Sequence, residues 1–140
     1  MLKVLYTYNN KETKGVLPKD MIGSLERIKA EAPEDAVFTM WWDYASALRG
    51  YTGRDVVADA PSPEIIYSVA GGWEHELSTN QRIRDVSVIL TTNSSEEAAQ
   101  IMGKYGSDFL LVHNSDISKA YIFFNLIKGD SGEYLSLIHI

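Results

Sequence analysis

The fold of this chain turns on residues 34–44, Glu34-Asp35-Ala36-Val37-Phe38-Thr39-Met40-Trp41-Trp42-Asp43-Tyr44. Two acids form a polar turn, an apolar and β-branched run follows, and two tryptophans then meet a carboxylate and a tyrosine. The run Ala36–Met40 is too short for a helix of its own and predicts a buried strand. "WWDYASALRG" continues without a break, so Trp41-Trp42-Asp43 stands where a strand ends and the chain turns towards a short helix. Open α/β sheets bind their ligands at such places, outside the carboxyl ends of strands.

Working outward, Met21, Ile22, Leu25 and Ile28 recur at helical spacing after Pro18–Asp20, and Pro33 stops that helix. Downstream, "RDVVADAPSP" predicts a second short strand running into a proline-rich turn. Ser78–Thr91 carries Ile83, Val86 and Leu90 on one face and reads as a helix. "NSSEEAAQIMGKYG" has the strongest helix signature: Ser94 and Glu97 form a capping box, Ile101, Met102 and Tyr105 make the apolar face, and Gly106 ends it. "DFLLVHN" predicts a buried strand. Residues 116–128 read as a helix capped by Ser115, although "YIFFNLI" is rich in strand formers. "EYLSLIHI" alternates like a closing strand. Residues 1–17 read as a loosely attached N-terminal segment. The whole is a compact single domain over 1–140, mixed α/β, with short buried strands and several packed helices.

Composition narrows the function. The formal net charge is −6, with no run of basic residues, which argues against nucleic acid as a partner. There are no cysteines, so disulfides and zinc–thiolate sites are excluded. No apolar run approaches the roughly 20 residues needed to span a bilayer, and the N-terminus is too short and polar for a signal peptide.

Trp41, Trp42 and Asp43 have two readings. They can be a core aromatic cluster beside a helix-capping Asp43. They can also form a pocket, since two indole N–H donors, one carboxylate acceptor and apolar walls suit a small hydroxyl-bearing group.

The motif "WWDYA", approached through "SLERIKAEAPEDAVFTM", resembles the WWDYG motif of the archaeal-type oligosaccharyltransferase catalytic subunit, the AglB family. "GRDVVAD" and "SSEEAAQIMGKYGSDFLLV" resemble later segments of that family, so the similarity runs over most of residues 20–128. A second family pattern, DxxKxxxM, is matched by Asp116 and Lys119 in "DISKAYIF", with Phe123 in place of Met. Ala45 stands where the family has Gly, which excludes backbone conformations open only to glycine. On a helix Asp116 and Lys119 are i and i+3, on one face and able to pair.

The resemblance implies a module of a membrane glycosyltransferase that moves a lipid-linked oligosaccharide onto Asn in N-x-S/T sequons. Trp41, Trp42 and Asp43 would bind the hydroxyl of the Ser or Thr two residues after that Asn. Tyr44, Asp116, Lys119 and Phe123 would be neighbours of that pocket. The partners implied are an acceptor polypeptide and, through a transmembrane part, the lipid-linked oligosaccharide. The catalytic acids and a divalent cation, Mn or Mg, belong to that part, so this chain alone is expected to be inactive and to hold no cofactor. The implied location is the extracellular face of the cell membrane. The alternative is a free-standing soluble α/β domain that binds a small ligand, with Trp41 and Trp42 as structural core.

Other candidates carry less. His75 lies between Glu74 and Glu76, but adjacent residues point apart in regular structure, and a polar loop explains them. His113 and His139 read as structural or exposed. Glu34-Asp35 and Glu96-Glu97 sit at a turn and a helix start, where capping explains them. Asn93-Ser94-Ser95 is itself a glycosylation acceptor pattern, of a kind that arises often by chance.

Overall fold

A computed structural model describes residues 3–4, 19–59 and 81–128. In chain order these form β1 (Lys3–Val4), α1 (Lys19–Glu31), β2 (Val37–Thr39), a 3-10 turn (Trp42–Tyr44), α2 (Ala45–Thr52), β3 (Asp55–Val56), α3 (Gln81–Thr91), α4 (Ser95–Lys104), β4 (Phe109–Leu110), α5 (Asn114–Ser118) and α6 (Ala120–Lys128). The expected mixed α/β architecture is present and mostly helical. Among the described residues no helix is long and apolar enough to cross a membrane.

The strands form one parallel sheet in the order β1-β4-β2-β3. Phe38 is in register with Phe109 on one side and Val56 on the other, and Phe38 and Phe109 stack at 5.0 Å. The expected strands at 36–40 and 108–114 are cut to Val37–Thr39 and Phe109–Leu110. Lys3–Val4, inside the segment expected to be loosely attached, pairs with Phe109–Leu110 as an edge strand.

Strand alternation divides the core. Phe38, Met40 and Leu111 pack with Met21, Leu25 and Ile28 of α1 and Leu48 of α2. Trp41 and Val57 pack instead with Ile83 and Val86 of α3 and with Phe123 and Leu126 of α6. Leu110 joins Ile89, Ala98 and Met102 between α3 and α4. Successive side chains of a strand point to opposite faces, so each pair of neighbours feeds two layers. The resulting helices on both faces hide a sheet whose strands are nearly continuous apolar runs.

The helix ends follow local chemistry. Pro33 follows α1, and Gly53, at φ +71°, closes α2 in the left-handed region. Gly106, at φ +62°, closes α4, with Ser107 N–H donating to Met102 O and Gly106 N–H to Gly103 O. This is the paired carbonyl capture that a left-handed C-terminal residue permits. The capping box expected at Ser94 is half formed. Ser94 Oγ accepts from Glu97 N–H at 3.1 Å, but the Glu97 carboxylate takes the Thr92 hydroxyl, and Ser94 N–H donates to Thr92 Oγ1.

The helix expected over 116–128 is two helices. It begins two residues earlier, at Asn114, and its cap is His113 rather than Ser115. It breaks at Lys119, where Lys119 N–H reaches Asp116 O and Ile122 N–H reaches Lys119 O, both three residues back. Those tighter bonds turn the chain at Lys119 before α6 resumes. The expected closing strand at 133–140, His139 and the Glu74-His75-Glu76 triplet lie outside the described residues.

Candidate functional site

The helix after β2 (α2) packs in one core layer and the second helix after β4 (α6) in the other. Because β2 and β4 are neighbours in the sheet, their carboxyl ends lead into two connections that diverge to opposite faces, and a crevice lined by Met40, Trp41, Tyr44, Leu111, His113 and Asp116 lies there. Parallel sheets bind ligands at that kind of switch point. Both candidate motifs lie there: Trp41-Trp42-Asp43-Tyr44 leaves β2, and Asp116 and Lys119 follow β4.

The two motifs meet through charge. Lys119 Nζ lies 2.6 Å from Asp43 Oδ2 and 3.4 Å from Asp116 Oδ1. It also stands over the Tyr44 ring, 5.2 Å from its centroid. Burial works against the Lys119 charge, but the Asp43 hydrogen bond and the Asp43 and Asp116 charges outweigh it, and its pKa is raised above the ordinary value. Three anionic or π-rich partners around one ammonium fix the head of a long side chain.

Asp43 is not a helix cap. It lies inside the 3-10 turn, and α2 starts after Tyr44 with no side-chain cap bond. Its side chain is 31% exposed, against 18% for Lys119, so the pair sits at the rim of the crevice. Ala45, the position where the resembled family has Gly, adopts φ −61°, ψ −42° and is wholly buried. Any L-residue takes that conformation, so the alanine methyl adds core contact without strain.

The tryptophans divide. Trp41 is 3% exposed and packs tilted against Phe123, ring centroids 4.6 Å apart at 58°. Both belong to one core cluster, with Trp41 also lining the crevice, so Trp41 and Phe123 support the site from beneath. Trp42 is partly buried, 6.0 Å from Trp41, and its indole Nε1 is covered yet has no hydrogen-bond partner among the described residues. Leaving such a donor unmade costs about 1–3 kcal/mol.

His113, which the sequence did not single out for function, joins the two motifs. It is 4% exposed. Its Nδ1 accepts from Ser115 N–H at 3.0 Å, and Asp116 Oδ2 accepts from His113 N–H at 2.8 Å. A backbone N–H can only donate, so Nδ1 carries no proton and the ring proton is on Nε2. The imidazole lies against Tyr44, centroids 4.9 Å apart. Burial is the largest influence on its pKa and lowers it; the Asp116 charge opposes that, the Lys119 charge adds to it and the Asp43 charge opposes it, leaving the pKa below the ordinary value. An unusual capping residue two positions before a well-formed Ser N-cap candidate gave no sequence signal.

Asp116, 5% exposed, is thus held by a backbone N–H and by Lys119. Ile117 is 79% exposed and Tyr121 59%, so the far side of this segment presents apolar surface. A divalent cation does not fit between Asp43 and Asp116, because the Lys119 ammonium already bridges them. No cluster of His, Asp or Glu that could hold a metal ion occurs among the described residues. Asn93 is exposed in the link between α3 and α4, and Ser94 serves as the α4 cap.

Comparison with protein-family models, curated proteins and solved structures finds no match for this chain.

Proposed function

We propose that this domain recognises the N-x-S/T sequon for a membrane oligosaccharyltransferase, reading the hydroxyl of the Ser or Thr two residues after the acceptor Asn. The observation that carries the reading is the pairing of Asp43 with Lys119, which brings the two resembled motifs together at one crevice. The hydroxyl donates to the Asp43 carboxylate, and the Trp42 N–H, covered in the free domain, turns outward to donate to the hydroxyl oxygen. Lys119, itself held by Asp116, keeps the Asp43 carboxylate in place, Tyr44 walls the cup, and Trp41 with Phe123 fixes Trp42 from behind. An acceptor with Ala in place of Ser or Thr leaves Trp42 and Asp43 without that exchange, and polar groups left unpaired are how a hydroxyl-reading site rejects the wrong substrate.

The glycosyl transfer itself, with its catalytic acids, Mn or Mg ion and lipid-linked oligosaccharide, belongs on this reading to a transmembrane part, and the domain works on the extracellular face. The burial of Trp41 favours a structural role for that residue, which the rival small-ligand-binding domain shares. Asp43 and Trp42 separate the two readings. In the full-length parent enzyme, Asp43→Ala is expected to lower transfer to a sequon peptide at least about 100-fold, the order seen when a positioned polar contact to substrate is deleted. Transfer at the wild-type rate by that variant refutes the reading.

A further inference from the structure

We propose that His113 is the positioning residue of this site: as a neutral cap packed on Tyr44 it sets the start of α5 so that Asp116 and Lys119 meet Asp43, and its protonation releases that arrangement and weakens acceptor binding. The inference rests on the sequon reading for its substrate.

The geometry is specific. His113 is the first residue after the β4 strand end to fix a helix, and three of its groups are committed at once. Nδ1 holds the Ser115 N–H, the backbone N–H holds Asp116, and the ring face holds Tyr44 of the other motif. Asp116 then contacts Lys119 with its second oxygen, and Lys119 reaches Asp43. Removing the Nδ1 acceptor therefore loosens a chain that runs from His113 to the substrate-reading carboxylate. Ser115 Oγ, 2.5 Å from Nδ1, can turn its own proton towards or away from that nitrogen, but Ser115 N–H cannot.

The charged and titratable groups around the imidazole come from each neighbour. The turn after β2 contributes Asp43 and Tyr44, α5 contributes Asp116, and the α5–α6 break contributes Lys119. Helix α1 brings Met21, Ser24, Leu25 and Ile28 to the recess that His113 lines, with no ionisable side chain among them. Protonation would turn Nδ1 into a donor facing the Ser115 N–H and place a second cation near Lys119. Because the folded chain disfavours the imidazolium, the neutral state prevails above the ordinary value of 6.5 and is lost as pH falls through the lower folded value.

The test is steady-state transfer by the full-length parent enzyme across pH, with wild type, His113→Ala and His113→Asn. Asparagine is an effective cap that does not titrate. Wild type is expected to lose affinity on acidification, KM rising about tenfold per pH unit below the folded His113 pKa while kcat changes less. His113→Ala is expected to raise KM at neutral pH by about tenfold or more, and His113→Asn to restore it to within about threefold and abolish the acid rise, the size of effect expected for a lost and a replaced cap. An acid limb in His113→Asn identical to that of wild type overturns the proposal.

An NMR titration of the 140-residue chain separates this from the sequon reading. The Lys119 ε-methylene signal is expected to shift with the same midpoint as the His113 ring in wild type and to stay still in His113→Asn. A Lys119 signal that ignores His113 overturns the proposal whatever the transfer assay shows. Retained transfer by Asp43→Ala would instead remove the sequon reading alone.

Discussion

Lys119 Nζ stands 2.6 Å from Asp43 Oδ2, joining the turn that leaves β2 to the break between α5 and α6. Neither residue is near the other in sequence, and both belong to segments that diverge to opposite faces of the sheet. The contact therefore ties those two segments together at the carboxyl ends of β2 and β4. Since both side chains keep some solvent access, the pair contributes little to folding and its value lies in orientation.

A double-mutant cycle on Asp43→Asn and Lys119→Met makes that distinction measurable. Urea unfolding of this chain is expected to show a coupling energy of about 1 kcal/mol or less, as for other partly exposed ion pairs. On the sequon reading, transfer by the parent enzyme is expected to behave differently, with either single variant nearly as damaging as the double because the two residues act as a unit. Additive losses in transfer would show that Lys119 does not work through Asp43.

The two tryptophans are expected to separate stability from accessibility. Trp41→Ala empties a core position against Phe123 and Val57 and is expected to cost about 3–5 kcal/mol. Trp42→Ala removes a partly buried ring with an unmade N–H, and the relief of that donor offsets part of the lost burial. Its cost should stay under about 2 kcal/mol, within the usual range for a single substitution. Acrylamide quenching of variants that retain one tryptophan each, with Trp73→Phe in both, should reach Trp42 and leave Trp41 protected. Equal protection of the two would count against a site at Trp42.

What was legible in the sequence is what local chemistry decides. Helices α1 and α4 show in the spacing of Met21, Leu25 and Ile28 and in the Ser94 cap with its Gly106 stop, because capping and amphipathicity act within a turn or two. The short strand before Trp41 shows in its β-branched and aromatic run. The order β1-β4-β2-β3 does not show, because pairing between distant strands is chosen by packing across both faces. Nor does the division of the tryptophans, although the alternation that sends Phe38 and Met40 to one layer also sends Trp41 to the other. The cap at His113 was hidden by Ser115, a better capping residue by type, and the break at Lys119 by the absence of any Gly or Pro to mark it. In each case a tertiary contact, Tyr44 on His113 and Asp43 on Lys119, overrode the local preference.

Arg54 offers a prediction away from the site. Its guanidinium donates to Thr52 O at 2.6 Å, Ala32 O at 2.9 Å and Lys29 O at 3.2 Å. It therefore covers carbonyls left open at the C-terminal ends of both α1 and α2, where a cation is also favoured by the helix dipoles. Arg54→Ala is expected to destabilise the chain by about 1–3 kcal/mol, and Arg54→Lys to recover only part, since one ammonium cannot span three carbonyls. The midpoint of urea unfolding checks this, and a full recovery by lysine would contradict the bridging role.

Asp85 sets the expected response of the fold to acid. Its carboxylate accepts from Lys104 Nζ at 2.7 Å, Tyr105 OH at 2.6 Å and Gln81 Nε2 at 2.6 Å, locking α3 to the end of α4. Burial alone would raise its pKa, but the hydrogen bonds from Lys104, Tyr105 and Gln81 outweigh it and hold the value below the ordinary 3.8. The unfolded chain therefore takes up this proton first as pH falls. The stability Asp85 confers is complete above the unfolded value, and it is lost as pH falls from 3.8 through the lower folded value. Asp85→Asn keeps the shape but not the charge, so its deficit relative to wild type is expected to be largest near neutrality and to close in that acid window. Other carboxylates titrate in both proteins and cancel in the comparison. Lys104 is about half exposed, so added salt should shrink the neutral-pH deficit. A deficit that is the same at neutral and acid pH would mean that the bracket depends on shape rather than on the Asp85 charge.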